Sequence, residues 1–386
     1  MVETDSINMI KQLVAFDTTS RESNLKLINY IENYLSDLNI HSYIIHNEQG
    51  TKANLYATIG NNDAPGIMLS GHTDVVPTDG QTWDTDPFQL IKKGEKFYGR
   101  GASDMKSFIG IVLAKLPNFL SRGLKIPIHL AFSYDEEVGC IGVRRLIEKI
   151  NQLPIKPSMC IVGEPTNMEV IIGHKGKRSY DVSVLGLEAH SSLTPHGVNA
   201  IEYAADMISY LKKLANNFAS TGAQDQLYDV PHTTVHTGTI TGGTALNIVP
   251  KDCSFQFEFR YIDKDDPDKI ETKIREHINH NIIPKMQKVN SSTNINMKCE
   301  NEIPSLNLNA NEEIVTLVKA LAGKNNHGKV AFGTEAGLFQ KQAGIPTVIC
   351  GPGNINQAHK PNEYIDISQI NECESFLGRL MDRVCN

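Results

Sequence analysis

Five short segments of this 386-residue chain carry histidines and acids where they could hold cations. Ser70-Gly71-His72-Thr73-Asp74 closes an apolar run. Asp74, two residues beyond His72, could hold a ring nitrogen and fix the tautomer, as carboxylates behind a ligating histidine do. Gly99-Arg100-Gly101-Ala102-Ser103-Asp104 suits a tight loop that brings Asp104 to a helix start; an ordinary helix N-terminal acid is the plain alternative. In Tyr134-Asp135-Glu136-Glu137-Val138-Gly139, Glu137 could bind a cation while Glu136 carries a proton; a solvated turn is the alternative. Glu164 comes directly after an apolar run in Val162-Gly163-Glu164-Pro165, and His359 lies beyond the run TVIC, past Gly351-Pro352-Gly353-Asn354.

Each segment alone has a bland explanation. Together, His72, Asp104, Glu137, Glu164 and His359 fall beyond predicted strands or at helix starts of one domain. Acids gathered at one edge repel unless cations neutralise them. One imidazole and one carboxylate per ion, with one carboxylate shared, makes a two-metal set suited to hydrolysing a resistant bond such as an amide. Nitrogen and oxygen donors without thiolate suit Zn²⁺ first, and also Co²⁺ or Mn²⁺.

Such a set needs strands that end together. Helical spacing predicts helices over 6–15 and 24–38, and short apolar runs predict strands over 54–60 and 66–74. Next come a helix over 103–121, a strand over 126–137, a helix continuing from Val138 and a strand over 157–165. Alternating strands and helices imply an α/β class, a sheet with helices on both faces. From about 178 the order changes to strand–helix–strand–strand–helix–strand, a small α+β sandwich. Asn199 should cap its helix, with Glu202 completing a capping box. From about Asn309 the α/β character returns. The expected division is a metal-binding catalytic domain over 1–177 and 304–386, with an inserted domain over 178–303.

The formal net charge of −7 is spread without blocks of one sign, which argues against nucleic-acid or anionic-membrane partners. No apolar run reaches the length of a membrane span. No secretory signal is visible, and seven scattered cysteines without a CxxC pair suit a reducing cytoplasm.

The segments VAFDTTSRESN (14–24), SGHTDVVP (70–77), GRGASDMKS (99–107), DEEVGCIG (135–142), VGEPT (162–166) and GHKGK (173–177) together resemble the M20 metallopeptidase/deacylase family. GLEAHSS (186–192), GTALNIVP (243–250), FGTEAGLF (332–339) and GPGNINQAHKPNEYI (351–365) extend the resemblance over nearly the whole chain. It implies a central mixed sheet flanked by helices and an inserted domain that serves as lid or dimerisation surface, hence a homodimer. By the same resemblance, His72 and Glu164 hold one metal, Glu137 and His359 the other, and Asp104 bridges them. Asp74 supports His72, Glu136 is the general acid/base, and His190 reaches the acyl oxygen, in cis or across a dimer. The FDTTSRESN, GTEAG and GPGNINQAHKP segments point to the acetylornithine-cleaving branch: N²-acetyl-L-ornithine to ornithine and acetate, in arginine biosynthesis. Rivals are a succinyl-diaminopimelate desuccinylase or an aminoacylase. A metal-dependent binding protein on the same fold is a non-catalytic alternative, but it should lack Glu136; a two-domain amino-acid-binding protein is another.

A small N-acyl amino acid needs further contacts. Period two along Phe255-Gln256-Phe257-Glu258-Phe259-Arg260 puts the phenylalanines on one face and Arg260 on the other. There Arg260 could clamp a carboxylate, or pair with Glu258, or sit solvated. Asn247 could donate to the same substrate, and Lys175 is a weaker contact candidate. Glu335 could meet a cationic side chain such as an ornithine ammonium, or be a solvated helix-start acid. Cys140 and Trp83 read as packing residues.

Overall fold

Short β-rich runs without interior breakers must pair, and their apolar faces need helices to cover them. The computed structural model describes residues 4–61 and 63–385, which divide into two compact units. The first comprises residues up to Gly173, Leu306–Lys329 and the segment from Thr334 onward. The second comprises His174–Ser305 and Val330–Gly333.

The first unit is built on a mixed sheet. Its strands run in the order Ser42–His46, Ala53–Ile59, Ile128–Ser133, Ile67–His72, Met159–Pro165, Thr347–Gly351, Ile171–His174 and Leu306–Asn307, with Gly328–Val330 beside Ile171–His174. Ile67–His72 runs parallel to both Ile128–Ser133 and Met159–Pro165, and Thr347–Gly351 runs parallel to Met159–Pro165. The register sets His72 opposite Ser133, Ser70 opposite Val162, and Gly351 opposite Pro165. Four parallel strands therefore end together, and the residues just beyond each strand are delivered to one edge. In open α/β sheets that edge is where ligands bind.

One face of this sheet is covered by helices Asp5–Val14, Leu25–Asp37, Lys106–Arg122, Glu313–Ala322 and Ile367–Cys385, which share one apolar cluster with Leu55, Leu69, Leu130 and Phe132. Lys106–Arg122 is buried nearly all round, as a helix between sheet and helices must be. Its Phe108 lies so close to Gly163 that a Cβ there would sit 2.1 Å from the ring. The glycine before Glu164 is thus the condition for helix and strand to close. Val143–Asn151 packs against Ala53–Ile59 and Ile128–Ser133. A separate three-stranded sheet joins Ile91–Lys93, Lys96–Tyr98 and Tyr364–Asp366.

The second unit is an antiparallel sheet in the order Thr234–Gly242, Asp252–Tyr261, Gly176–Leu185, Asn294–Ile303. Burial alternates along Asp252–Tyr261: Phe255, Phe257 and Phe259 are in the core with Tyr180 and Val182, while Gln256 is exposed and Glu258 and Arg260 are half-buried. Helices Ala200–Thr221 and Pro267–His277 cover that apolar face. Asn199 caps its helix as expected, accepting from the N–H groups of Ile201 and Glu202 at 3.1 and 3.3 Å. Glu202 does not reach back to the backbone; it accepts from the Asn199 amide at 3.1 Å, so the box closes through side chains.

One expected helix is shorter than its pattern. The one predicted from Val138 begins only at Val143, because Cys140 (φ 54°) and Gly139 (φ 112°) hold a left-handed turn after the acids. The second helix expected in the inserted domain runs from Pro267 to Gln287, α-helical over Pro267–His277 and Ile283–Gln287 with a π-helical turn at Ile278–Ile282 between them.

His129 lies buried in the sheet, with Tyr56 Oη 2.8 Å and Thr58 Oγ1 3.0 Å from its Nδ1. Burial pulls its pKa down from 6.5 to about 4. Between these values the unfolded chain binds a proton that the folded chain refuses, so stability falls as pH falls through that window. The expected loss is up to about 1.4 kcal/mol per pH unit. Urea midpoints at pH 7.5 and 5 check it: His129→Gln should lose less on acidification than the parent, and equal losses would remove His129 as the cause.

Candidate metal centre

The edge where the parallel strands end gathers the predicted residues of the first unit. His72, the last residue of its strand, has its Nε2 2.9 Å from Asp104 Oδ1 and 3.8 Å from Glu164 Oε1. Its Nδ1 lies 2.9 Å from the Asp74 backbone carbonyl, which can only accept, so the proton belongs on Nδ1 and Nε2 is left as a lone-pair donor. The expected link from the Asp74 carboxylate is longer, at 3.6 Å. That carboxylate serves another purpose. It accepts from Ser20 Oγ at 2.7 Å and from the N–H groups of Glu136 and Glu137 at 3.1 and 3.3 Å. Asp74 thus ties the strand end of His72 to the segment carrying the two adjacent glutamates.

Asp104 is the hub. Its Oδ1 faces His72 Nε2, and its Oδ2 faces His359 Nε2 at 3.5 Å. Asp104 is not at the helix start itself, since Lys106–Arg122 begins two residues later. His359 Nε2 also lies 3.0 Å from Glu137 Oε2. Ligand atoms of His72, Glu136 and Glu164 lie within 4.8 Å of one another, and so do those of His72, Asp104 and Glu137. Five side chains predicted from separate segments are therefore brought together, with Glu136 beside them. The solvated-turn alternative for the adjacent acids does not hold: the Glu137 side chain is 7 % exposed. Lys52 pins Asp135 beside them at 2.6 Å.

The electrostatics reflect crowding of like charge in a place with little water. Burial pushes Glu136 and Glu164 well above the carboxylate range, with neighbouring carboxylates adding to the shift. Burial and Asp104 push Glu137 to about 7. Burial works against a charged Asp104, yet its bonds to His359 and His72 hold it below its ordinary value. Bonds to Asp104 and Glu137 raise His359 to about 10. Four carboxylates thus share two imidazoles, and Glu164 Oε1 is buried without a hydrogen-bond partner among the described residues. An unpaired buried carboxylate oxygen is costly unless something cationic meets it. The donor set of imidazole nitrogen and carboxylate oxygen fits divalent ions such as Zn²⁺, Co²⁺ or Mn²⁺.

Glu335 belongs to the first unit but is fully buried, accepting from Ser70 Oγ at 2.6 Å and Ser133 Oγ at 2.7 Å. It is neither a solvated helix-start acid nor open to a substrate; it clamps two neighbouring strands just before their catalytic ends. His190, Asn247, Arg260 and Lys175 lie in the second unit. His190 is exposed and its Nδ1 is 2.8 Å from Ser192 Oγ. Asn247 is exposed in the adjoining turn, its carbonyl accepting from the Ser191 N–H at 3.0 Å. Arg260 donates through Nε to Glu258 at 2.8 Å, the pairing alternative raised by its spacing. Lys175 is buried, donates to the His232 carbonyl at 2.5 Å, and is pulled by burial to about 8. Cys140 is buried with Sγ 3.4 Å from Glu136 Oε1, and burial raises its thiol well above the usual range, so it is an inert packing residue.

Sequence reasoning passed over Glu363 and Arg100, both 1 % exposed and paired at 2.8 Å behind Asp104. The one signal was their position inside segments already marked for other residues.

A profile of peptidase family M20/M25/M40 matches residues 68–383. An acetylornithine deacetylase from Buchnera aphidicola subsp. Acyrthosiphon pisum is 33 % identical over 385 residues, 98 % of each chain. Among solved structures, a tripeptidase from Staphylococcus aureus superposes with a TM-score of 0.76 at 20 % identity, covering 99 % of this chain and 98 % of that one. A dinuclear metal-binding peptidase of the M20 family from Bacillus subtilis gives 0.67 at 16 % identity, covering 97 % and 96 %.

Proposed function

Because the chain belongs to peptidase family M20/M25/M40, we propose that it is a two-metal amidohydrolase that removes the acetyl group from N²-acetyl-L-ornithine. The observation that carries this reading is Asp104, whose two oxygens face two different imidazoles with Glu136, Glu137 and Glu164 alongside. His72 and Glu164 would hold one ion, Glu137 and His359 the other, with Asp104 shared. Two divalent ions held there supply Lewis acidity, which makes an acyl carbon more electrophilic and a water more acidic.

The chain's own groups do the rest. Glu136 takes the proton of the attacking water at its carboxylate and delivers it to the departing amine nitrogen. Burial keeps its proton affinity high, as that double duty requires. Asp74 fixes the Glu136 backbone, and Cys140 packs against Glu136 Oε1. From the second unit, His190 is assigned to the acyl oxygen and Arg260 to the substrate carboxylate, with Asn247 and Lys175 as further polar contacts. Support for these four is their chemical type and the family resemblance.

The acetyl group and the ornithine amine rest on the similarity to acetylornithine deacetylases. The reading includes two copies joined through the second unit, where Leu246 is fully exposed and Ile240 and Leu193 are each 52 % exposed. Among the described residues no helix is long and apolar enough to cross a membrane.

Steady-state kinetics on N-acetylornithine, N-succinyl-diaminopimelate and N-acetylmethionine, with metal analysis and sedimentation, tests the whole reading. N-acetylornithine should give the highest kcat/KM with two equivalents of metal in a dimer. A preference for the succinyl or methionyl substrate transfers the assignment to those deacylases, and a monomer removes the pairing.

A further inference from the structure

Behind the metal centre, one buried carboxylate gathers a loop that would otherwise have unpaired donors. Glu363 Oε1 accepts the N–H groups of Ser103 and Asp104 at 2.7 and 3.0 Å. Its Oε2 accepts the N–H of Gly101 at 3.0 Å and Arg100 Nη1 at 2.8 Å. The Glu363 carbonyl accepts the Gly99 N–H at 2.9 Å. Four of the six residues from Gly99 to Asp104 thus bond through their backbone N–H to this one residue. Three charge-assisted bonds from peptide groups of one loop define its path far more tightly than neutral turn bonds would.

The network continues to the other loop. Arg100 Nη2 donates to Gln81 Oε1 at 2.7 Å, and the Gln81 amide donates to the His359 carbonyl at 3.1 Å. Arg100 is also held over the Trp83 ring, 5.0 Å from its centroid. The chain His359–Gln81–Arg100–Glu363–Asp104 therefore joins two metal-site residues that lie 255 positions apart in sequence, from 104 to 359. The Gly351–Asn354 turn adds a second fastening: the Asn354 N–H donates to Ser103 Oγ at 3.0 Å. Gly353 (φ 92°) has no room for a side chain there, since its Cβ would lie 2.5 Å from that oxygen.

We infer that Glu363 is a positioning residue that sets the spacing between Asp104 and His359, and with it the affinity of the centre for its second cation. The inference rests on the two-metal reading of the site. Residues that orient ligands from behind cost roughly 10–100-fold in metal affinity when removed. Glu363→Gln keeps the shape but turns an amide N–H₂ toward N–H donors, so two of the four bonds on its side-chain oxygens are lost. Gln81→Ala cuts the link to His359 together with the bonds that Arg100 and Trp83 donate to the Gln81 oxygen, leaves every bond of Glu363 in place, and lies at the half-exposed end of the network.

The experiment is zinc retention by the metal-loaded full chain against graded EDTA, with circular dichroism and kcat at each zinc level. Glu363→Gln should lose one equivalent at roughly 10–100-fold lower chelator, keep its helical signal, and regain kcat when zinc is raised. Gln81→Ala should weaken the same equivalent by a smaller factor and leave the other unchanged. If Glu363→Gln fails to fold, Gln81→Ala decides. A lowered melting temperature with parental zinc retention in the folded variants would make Glu363 merely structural and overturn the inference. A parent chain that never holds two equivalents would overturn the two-metal reading itself, which the variants alone cannot do.

Discussion

Glu136→Gln should lower kcat by about 10²–10⁴-fold, the range for removing a positioned general acid/base, while both metal equivalents stay bound. The substitution is isosteric and keeps the contact with Cys140 Sγ at 3.4 Å. It also leaves the Glu136 N–H bonded to Asp74 at 3.1 Å, so the neighbouring Glu137 keeps its place. The change removes the ability to exchange a proton. KM should change little, because the loss falls on the step in which the proton moves. Steady-state kinetics with elemental metal analysis check this. A variant within tenfold of the parent, fully loaded with metal, would sink the role assigned to Glu136.

Asp104→Asn should have a different signature, losing metal as well as turnover. One amide cannot replace a carboxylate whose two oxygens face His72 at 2.9 Å and His359 at 3.5 Å. The charge that both imidazoles face disappears, and the shared donor disappears with it. Metal content should fall below one equivalent, and kcat/KM should fall by more than the roughly 10–100-fold typical of residues behind the ligands. The loop should keep its path, because Glu363 holds the Asp104 backbone N–H and not its side chain. Two retained equivalents with near-parental turnover would refute the bridging assignment. The pair of variants separates proton transfer from cation binding: one loses turnover and keeps metal, the other loses both.

Much of this centre was legible because strand ends announce themselves. An apolar run that stops at His72, Glu164 or Gly351 must leave the core there, and polar residues placed at that stop go to the sheet edge. Parallel pairing then brings the stops together, which is why separate segments converged. Side-chain destinations were less legible. The spacing of Asp74 from His72 suggested a carboxylate–imidazole bond, but the backbone carbonyl two residues on is closer, and the carboxylate was drawn to the N–H groups of Glu136 and Glu137. Glu335 read as a contact for a cationic substrate or as a solvated helix-start acid, because sequence shows no sign of the two serine hydroxyls that enclose it. The strands Ile91–Lys93, Lys96–Tyr98 and Tyr364–Asp366 went unread because three residues are too short for any periodicity to register. Glu363 was hidden for a related reason: its partners are mostly peptide groups from another part of the chain, and a peptide N–H leaves no mark in a sequence.

The seam between Phe108 and Gly163 carries a consequence for how such a centre can be transplanted or diversified. It clasps the helix that starts just after one metal-site acid to the strand that ends with another, so the gap between Asp104 and Glu164 is set by the frame. A graft that brings only the acids and histidines to a new scaffold, and leaves the aromatic ring and its bare partner behind, would carry the chemistry without the ruler.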